Sequence, residues 1–517
     1  MRRVARQPRT QQRLLTWHGV ILVICASIVL STWALASPPG SSPDDEFHLA
    51  SIWCATGYST GICEQTNDPE VIAIPKLIAL DGQDKPCFVF RIETSGTCLF
   101  VGDVNALTPH PAARANSGLY PPIYYTVMRA FVTPKTLASA TLMRLFNIAL
   151  AVALLFATLA IARPATRRAI AAATIVSLVP LGLFVIGSVN PSSWAVTGCL
   201  IAWAALLGFG ENATPTRRWL AGGLYLIGAG MAMAARADSV AYIGVITIAA
   251  IIASPELRAW GWRHRIIVGA IIGASILIVA GFLLRVGQAK VAFGAQGTFE
   301  AGDTTASIVE RTFRNINALP GLMTGSFGTW PVGQLDAPVP TIVWVLAFGA
   351  FASLILIGLG TRRAGKGWAC GLILAAFALI PLFILVRGGL YVGQAIQPRY
   401  LLPLLPALVG FALLTRDRDA GLRLSRAQRA TLVVATSIAQ AAALHSVLRR
   451  YTVGTDLPNW NLDANVEWWW SWMPSPLLTW LVASIAFSYL AYRVFALFAT
   501  AGKARTTHAD QVPETIR

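Results

Sequence analysis

The sequence predicts an all-α polytopic membrane protein of about twelve transmembrane helices, with a disulfide-stapled first extracytoplasmic loop domain. Hydrophobic residues make up 55% of the 517 residues and charged residues only 13%, a composition outside the range of soluble globular proteins. Apolar runs of membrane-spanning length recur along the chain, and basic residues collect in alternate connections between them. The three observations together indicate the polytopic class.

The predicted spans are runs of roughly 17 to 25 apolar residues, the length that crosses a hydrocarbon core. The first is too long for a signal peptide that is removed, so we expect it to stay as an anchor. The twelve spans are placed at 14–36, 137–162, 169–189, 192–210, 218–234, 237–253, 266–286, 339–360, 368–386, 400–415, 430–448 and 477–498.

The formal net charge of +17 follows membrane topology and does not indicate nucleic-acid binding. With the basic N-terminus (1–13) in the cytoplasm, the connections on that side collect most of the arginines, and few acids. The acids expected there are Glu211, Glu256, Asp417, Asp419, Asp510 and Glu514. The positive-inside rule therefore predicts a multi-pass protein of the plasma membrane with both termini cytoplasmic.

Four of the seven cysteines lie in the first long loop: Cys54, Cys63, Cys87 and Cys98. An even set in one polar loop is typical of two disulfides in an oxidising compartment. The sequence does not choose among the three pairings, although Cys54–Cys63 with Cys87–Cys98 needs the least loop closure. Four unpaired thiols are the alternative.

Long loops set the domain organisation. Residues 37–136 form an outer loop of 100 residues, long enough for a small domain or lid. Its strand-like pieces, 87–92 and 97–101, are candidates to pair across a disulfide-stapled turn. The other regions are helices 2–7 at 137–286, an outer loop with an amphipathic helix at 287–338, helices 8–12 at 339–498 with outer loops at 387–399 and 449–476, and a disordered cytoplasmic tail at 499–517.

The candidate reactive stretch follows the first span. Ser37 to Gly57 brings Asp44, Asp45, Glu46 and His48 to a membrane surface. If a helix starts here, spacings of three and four residues put Asp44, Asp45 and His48 at neighbouring positions of one face. The alternative is a helix N-terminus that simply favours acids, which accounts for one acid better than for three and a histidine.

Three arginines are candidates to bind an anion near these acids. Arg144, with Asn147, lies about two turns into the second span, where it either faces the bundle interior or snorkels to the headgroups. Arg236 neighbours Asp238, so either a local ion pair or a ligand contact fits. Arg399 lies at the outer mouth of a span, where its forked donors suit a phosphate.

Two outer loops carry apolar and aromatic clusters. An amphipathic helix in the interface plane is predicted within 287–338. Its apolar face holds Val309, Phe313 and Ile316, and its polar face holds Glu310, Arg311 and Arg314. The loop 449–476 contains five tryptophans, which form either a membrane-boundary belt or a surface that stacks on sugars. They are Trp460, Trp468, Trp469, Trp470 and Trp472.

Six separate pieces of the sequence share the pattern of one family. They are Pro43-Asp44-Asp45-x-x-His48, Tyr120-Pro-Pro-Ile-Tyr-Tyr, Arg144 with Asn147, Asn190-Pro, Gly325-Ser-Phe-Gly with Trp330, and Gln397-Pro-Arg-Tyr-Leu-Leu-Pro. Their order and loop placement resemble the DUF2142 family of bacterial polytopic membrane proteins, grouped with the GT-C glycosyltransferases. The family usually has Asp-Glu where this chain has Asp44-Asp45, and Gly-Arg-Tyr where it has Pro398-Arg399-Tyr400.

The resemblance implies a GT-C-like fold and transfer of a sugar from a polyprenyl-phosphate donor, in the outer leaflet, to an envelope glycan, lipid or protein acceptor. It also implies a catalytic carboxylate in the first outer loop. We assign the general base to Asp44, with Asp45 as its nearest rival and His48 as an orienting partner or acceptor contact. Direct attack of the acceptor from the face opposite the leaving group predicts inversion of the anomeric centre.

The remaining contacts follow from the same chemistry. The departing phosphate needs cations, for which Arg399, Arg144 and Arg236 are the candidates. Further substrate or aromatic contacts are expected from Glu46, Tyr120, Tyr124, Asn190, Trp330 and Tyr400. No cofactor is assigned, and a divalent metal at Asp44, Asp45 and His48 stays open because spacing shows no fourth ligand.

The expected partners are the lipid-phosphate sugar donor, the glycan or glycolipid acceptor and membrane lipid, with no nucleic acid. A competing function is a transporter or flippase of a lipid-linked saccharide. Transporters usually show ionisable residues at mid-membrane and paired broken helices, whereas here every acid lies in a predicted loop or at its edge. A non-catalytic assembly scaffold is the third class.

Overall fold

The fold comes from a computed structural model that describes residues 9–80, 86–115, 118–212, 214–264, 266, 281, 287, 306–361, 363–394, 396–415, 422–456 and 459–499, with side chains from residue 18 onwards. Most of these residues are helical. The helices are α1 Arg9–Leu35, α2 Asp45–Trp53, α3 Lys76–Ala79, α4 Pro122–Arg129, α5 Thr136–Ile161, α6 Pro164–Leu178, α7 Leu181–Ile186, α8 Pro191–Glu211, α9 Pro215–Ala235, α10 Asp238–Ala253, α11 Pro255–Arg263, α12 Ile308–Thr324, α13 Thr341–Leu359, α14 Lys366–Arg387, α15 Pro398–Leu401, α16 Leu405–Leu413, α17 Arg426–Thr452 and α18 Pro476–Ala496.

Seven of the described helices are long and apolar enough to cross a membrane: α1, α5, α8, α13, α14, α17 and α18. Each coincides with one of the twelve predicted spans. The count becomes eight if α10 and α11, which meet at an angle of 99°, are one broken span. The predicted span 266–286 lies almost entirely outside the described residues.

The other predicted spans differ from single long helices. The span predicted at 169–189 is divided into α6 and α7 around Pro180, and that predicted at 400–415 is divided into α15, a 3₁₀ turn at Leu402–Leu404 and α16. Prolines at 403 and 406 explain the second division, because proline lacks an amide donor for the helix. The span predicted at 218–234 corresponds to α9, whose arginines and glycines lower its hydropathy.

The first outer loop contains a small antiparallel sheet, so the fold is not entirely α-helical. Its strands are β1 Glu64–Gln65, β2 Val71–Pro75 and β3 Leu107–Pro111, in the order β1-β2-β3. The prediction of strands at 87–92 and 97–101 is wrong. Phe90 has a left-handed φ of 61° within the first piece, and the Ser95 side chain starts a 3₁₀ helix at Gly96–Phe100 in the second.

Two disulfides staple this loop, as predicted. They join Cys54 to Cys63 and Cys87 to Cys98, the pairing that closes the shortest loops. The end of the helical bundle that carries them is called the disulfide end below.

Arg450, at the end of α17, fastens the loop to the bundle. Its guanidinium donates to the carbonyl oxygens of Phe88 and Thr94 at 2.5 and 2.7 Å, and to Asp336 Oδ2 at 3.0 Å. The Tyr451 hydroxyl donates to the other Asp336 oxygen at 3.2 Å. Arg450 is fully buried, so the disulfide hairpin and the second outer loop share one buried anchor.

Helices α8 and α9 pack through glycine. A Cβ added at Gly198 would lie 2.4 Å from the Gly228 carbonyl oxygen, and one added at Gly228 would lie 2.8 Å from the Gly198 oxygen. Such contact requires residues without side chains. Because α9 ends at Ala235, this packing fixes the position of Arg236, the next residue.

The predicted amphipathic helix is α12. Val309 and Phe313 are exposed on one side, and Arg314 pairs with Glu310 at 2.5 Å on the polar side. Asn315 is buried and holds the chain beyond α14, because its Nδ2 donates to the Leu390 carbonyl oxygen at 2.9 Å and its Oδ1 accepts from the Val392 amide at 2.9 Å.

Candidate functional site

The site forms where the turn after α1 meets α15. Asp44 precedes α2 with a left-handed φ of 61°, a conformation that costs energy in a residue with a side chain and is often found at functional positions. Its carboxylate Oδ2 accepts from Arg399 Nη2 at 2.5 Å. The two residues are 355 positions apart in sequence, so the fold alone brings them together.

The two members of this pair differ in their access to solvent. The Asp44 side chain is 41% exposed and the Arg399 side chain 3%. Arg399 Nη2 also donates to the Tyr400 hydroxyl at 2.9 Å. Its Nε and Nη1 are buried without a hydrogen-bond partner among the described residues. Arg399 therefore presents unused donors behind an accessible carboxylate.

Arg236 brings a second buried positive charge next to Arg399. Its Nε and Nη2 bind Asp238 in a fork, with Nη2 2.7 Å from Oδ2. The local ion pair considered from the sequence is therefore present. The Arg236 guanidinium also lies 4.3 Å from the centre of the Tyr400 ring, and the Arg399 guanidinium lies 4.8 Å from the same ring. Tyr400 thus contacts both arginines through its π face.

The charges around Asp44 favour its ionised form. Burial by itself would raise the pKa of Asp44, but the basic groups around it, Arg399 first among them, together outweigh burial and hold the pKa below its usual value. The carboxylate is therefore ionised at neutral pH and held by an arginine.

His48 is a neutral, buried neighbour of this cluster. Burial lowers the pKa of His48 to about 3. Its Nδ1 shares a hydrogen bond of 2.9 Å with the Tyr125 hydroxyl, and its Nε2 is buried without a hydrogen-bond partner among the described residues. Tyr120 packs edge-on to the His48 ring, with centroids 5.2 Å apart, and lies 5.9 Å from the Arg236 guanidinium. The imidazole is fixed in place with one polar atom unused.

The other two acids of the motif have structural partners. Asp45 is 1% exposed, and its Oδ2 accepts from the amides of Gly40 and Ser42, both at 3.1 Å. Burial raises the pKa of Asp45 to about 7. Asp45 therefore closes the turn that presents Asp44.

Glu46 joins the turn to a later part of the first outer loop and to the second outer loop. Its carboxylate accepts from Arg114 at 2.9 Å and from Gln334 Nε2 at 3.1 Å, and Gln334 also donates to the Gly40 carbonyl oxygen at 2.9 Å. Burial, and then the charge of Asp44, raise the pKa of Glu46. Arg114 and Gln334 are contacts that the sequence did not suggest, because neither belongs to a recognisable motif.

Arg144 faces the interior and does not snorkel. Its guanidinium donates to the carbonyl oxygens of Ala34, Ser37 and Pro38 at 2.6 to 2.8 Å, so it satisfies one carbonyl in the last turn of α1 and two in the chain that follows. Asn147, one turn along α5, donates to the Ser188 carbonyl oxygen at 2.8 Å. These two residues of the predicted site hold the backbone on which the site is built.

Asn190 supports Asp44 directly. Its Oδ1 accepts from the Ser192 amide at 2.8 Å, which caps α8, and its Nδ2 donates to the Pro43 carbonyl oxygen at 2.7 Å. The side chain therefore links the start of a long helix to the residue before Asp44.

Two other predicted contacts are packing residues. Tyr124 is buried, edge-on to Trp194 with ring centroids 5.2 Å apart. Trp330 packs beside Gly325 and Pro398: a Cβ at Gly325 would lie 2.4 Å from Pro398 Cγ and 3.0 Å from Trp330 Cδ1. Gly325 thus lets the 325–330 turn approach the residue that precedes Arg399.

Most of the tryptophan cluster is also used in packing. Trp470 Nε1 donates to the Leu35 carbonyl oxygen and Trp469 Nε1 to that of Pro474, both at 2.7 Å, and Trp468 stacks on Phe100. Trp460 and Trp472 are exposed.

No group of three or more His, Cys, Asp or Glu side chains that could hold a metal ion occurs within the described ranges. An apolar cavity of about 110 Å³ lies in the bundle between α1, α5, α6 and α18. Its lining is almost entirely apolar and includes none of the residues of the Asp44 site.

Comparison with known proteins gives a family and no activity. Residues 27–408 match the model of a family described as predicted membrane protein (DUF2142). Neither a curated protein nor a solved structure matches the chain. The matched region contains Asp44, Arg236 and Arg399.

Proposed function

Because the chain belongs to the DUF2142 family of predicted membrane proteins, we propose a membrane reaction for the polar site: a GT-C-type, inverting transfer of a sugar from a polyprenyl-phosphate donor to an envelope glycan, lipid or protein. We further propose that the chain crosses the plasma membrane twelve times, with both termini cytoplasmic and the disulfide end outside. Among the described residues, the shorter and bent helices would supply spans beyond the seven of membrane-crossing length.

The observation that carries the proposal is the contact between Asp44 and Arg399. An accessible carboxylate, 41% exposed, lies 2.5 Å from a buried guanidinium that keeps two nitrogens, Nε and Nη1, without partners among the described residues. Glycosyl transfer from a phosphate needs these two functions side by side: a base for the acceptor and a cation for the departing anion.

The proposed step is a direct displacement. The acceptor oxygen attacks the anomeric carbon as the bond from that carbon to the phosphate oxygen breaks, and the lipid phosphate leaves with the bonding electron pair. Asp44 receives the acceptor proton, and Arg399 binds the phosphate oxygens. Attack opposite the leaving group inverts the anomeric carbon.

The surrounding residues have supporting roles in the proposal. Arg236 adds positive charge but is held by Asp238, so it acts at a distance on the leaving anion. His48 Nε2 is available to a sugar or acceptor hydroxyl. Asp45 and Arg144 maintain the turn and the end of α1.

The test is sugar transfer by purified protein in lipid nanodiscs, with a panel of polyprenyl-monophosphate sugars as donors and envelope extracts as acceptors. We expect Asp44→Asn to lower transfer about 10²- to 10⁴-fold, the usual contribution of a general base. Asp68→Asn is the matched control, because Asp68 is an exposed acid of the same outer loop.

Full transfer by Asp44→Asn would refute the base assignment. If both variants show no sugar transfer but move a lipid-linked saccharide across the vesicle membrane equally well, the protein is instead a flippase.

A further inference from the structure

We infer that Asp44 and the donor phosphate compete for Arg399, so that donor binding displaces Asp44 from the arginine and frees it to act as the base. The inference rests on the proposed function and adds an order of events to it: the donor binds first, and the acceptor is deprotonated only afterwards.

The geometry of Arg399 provides the reason. Nη2 is shared between Asp44 Oδ2 at 2.5 Å and the Tyr400 hydroxyl at 2.9 Å, whereas Nε and Nη1 are buried without partners among the described residues. Phosphate prefers two parallel N–H groups of one guanidinium. A phosphate that takes Nη1 with Nη2, or approaches Nε, therefore comes within reach of the group that holds Asp44.

The approach to Arg399 also passes Asp44. The Arg399 side chain is 3% exposed and the Asp44 side chain 41%, so the carboxylate is the more accessible member of the pair. Two anions on one guanidinium repel each other at short range. The phosphate brings the larger charge and more acceptor oxygens, and the carboxylate is the one with room to leave.

The second arginine does not relieve this competition. Arg236 already binds Asp238 through Nε and Nη2, at 3.0 and 2.7 Å, and its Nη1 lies 3.4 Å from Ser192 Oγ. Arg399 is thus the cation for which both anions compete within this cluster.

Displacement would also improve the base. While Arg399 holds Asp44, the pKa of the carboxyl group is lowered, and a weakly basic carboxylate accepts a proton poorly. Without a donor, the acceptor hydroxyl is therefore not activated, which also limits wasteful hydrolysis.

Binding of farnesyl monophosphate to the purified chain in detergent tests the inference, with farnesol and inorganic phosphate as separate probes for tail and headgroup. We expect Asp44→Asn to bind farnesyl monophosphate about fivefold more tightly than the unmodified chain, because the competing charge is gone. Arg399→Gln should bind at least tenfold more weakly. Asp68→Asn should bind unchanged, which controls for a general loss of negative charge.

Equal or weaker binding by Asp44→Asn, with its thermal unfolding midpoint unchanged, overturns the competition. The proposed function would then survive if Asp44→Asn still loses transfer and Arg399→Gln still loses binding. Unchanged binding by Arg399→Gln overturns the phosphate site itself. Tighter binding of farnesol by Asp44→Asn would trace the effect to the tail and likewise refute the inference.

Discussion

Arg450 and Asp336 form an ion pair in which neither side chain is more than 1% exposed, with Nη2 and Oδ2 3.0 Å apart. The same guanidinium holds the carbonyl oxygens of Phe88 and Thr94. One side chain therefore joins α17 to the first outer loop, 37–136, and to the second, 287–338.

Removal of this arginine should be strongly destabilising. Arg450→Met leaves Asp336 buried without its counter-charge, for which we expect a loss of about 3–5 kcal/mol and a lower thermal unfolding midpoint in detergent. Arg314→Ala is the control, because its pair with Glu310 is about half exposed and is worth at most about 0.5 kcal/mol. Equal midpoints for the two variants would contradict the anchor role.

Asp45 should make stability depend on pH. Burial raises the pKa of Asp45 to about 7 in the folded chain, whereas an unfolded aspartate titrates near pH 3.9. The folded state thus keeps a proton that the unfolded chain releases, so stability falls as pH rises from about 4 to 7 and is level outside that window.

Asp45→Asn should remove this pH dependence and unfold at a higher temperature than the unmodified chain at pH 8, with similar midpoints at pH 4. Thermal unfolding between pH 4 and 8 measures the pH dependence of the midpoint, and Asp68→Asn controls for surface charge. Parallel curves for Asp45→Asn and the unmodified chain would show that Asp45 titrates in the folded chain as it does in the unfolded chain, and would refute the raised pKa.

Gly325 should matter through Arg399. A Cβ there would lie 2.4 Å from Pro398 Cγ, so Gly325→Ala must move the 325–330 turn or the start of α15, and with it we expect Arg399 to shift relative to Asp44. We expect kcat/KM for the donor to fall on the order of 10²-fold, as for a displacement of about 1 Å. In Gly321→Ala the added Cβ meets only Trp330 Nε1, at 3.9 Å, and kcat/KM should stay near that of the unmodified chain. Similar losses in both variants would point to helix distortion.

Asn190 offers a way to separate stability from positioning. Asn190→Ser keeps a good cap for α8 but loses the bond to the Pro43 carbonyl oxygen. We expect the free energy of unfolding to stay within about 1 kcal/mol of that of the unmodified chain. In contrast, kcat should fall because the Asp44 turn is less firmly held. Asn190→Ala should lose both the cap and the bond to Pro43, so the thermal midpoint and kcat should both fall. A kcat for Asn190→Ser equal to that of the unmodified chain would remove Asn190 from the positioning residues.

The sequence predicted local and periodic features well. Apolar runs located all seven of the described helices that are long and apolar enough to cross a membrane, and loop-closure length favoured the observed disulfides. It failed where the local backbone departs from a regular helix or strand, as at Pro180 in the broken 169–189 segment and at Phe90, where a positive φ replaces the expected strand.

Side-chain partners were harder to predict because they come from distant segments. Spacing placed Asp44, Asp45 and His48 together, yet it could not tell that Asp45 binds the amides of Gly40 and Ser42. The sequence predicts that Arg144 serves a ligand or the headgroups, whereas in the fold it binds the carbonyl oxygens of Ala34, Ser37 and Pro38. A charge in a span shows that a partner is needed, without showing which one.

The left-handed backbone at residue 44 has an evolutionary consequence. Glycine would adopt that conformation without strain, so a lineage with no use for the carboxylate could drift to glycine and gain stability. Aspartate at this position therefore carries a standing conformational penalty, and its exchange for glycine in a related chain would remove the carboxylate while keeping the scaffold.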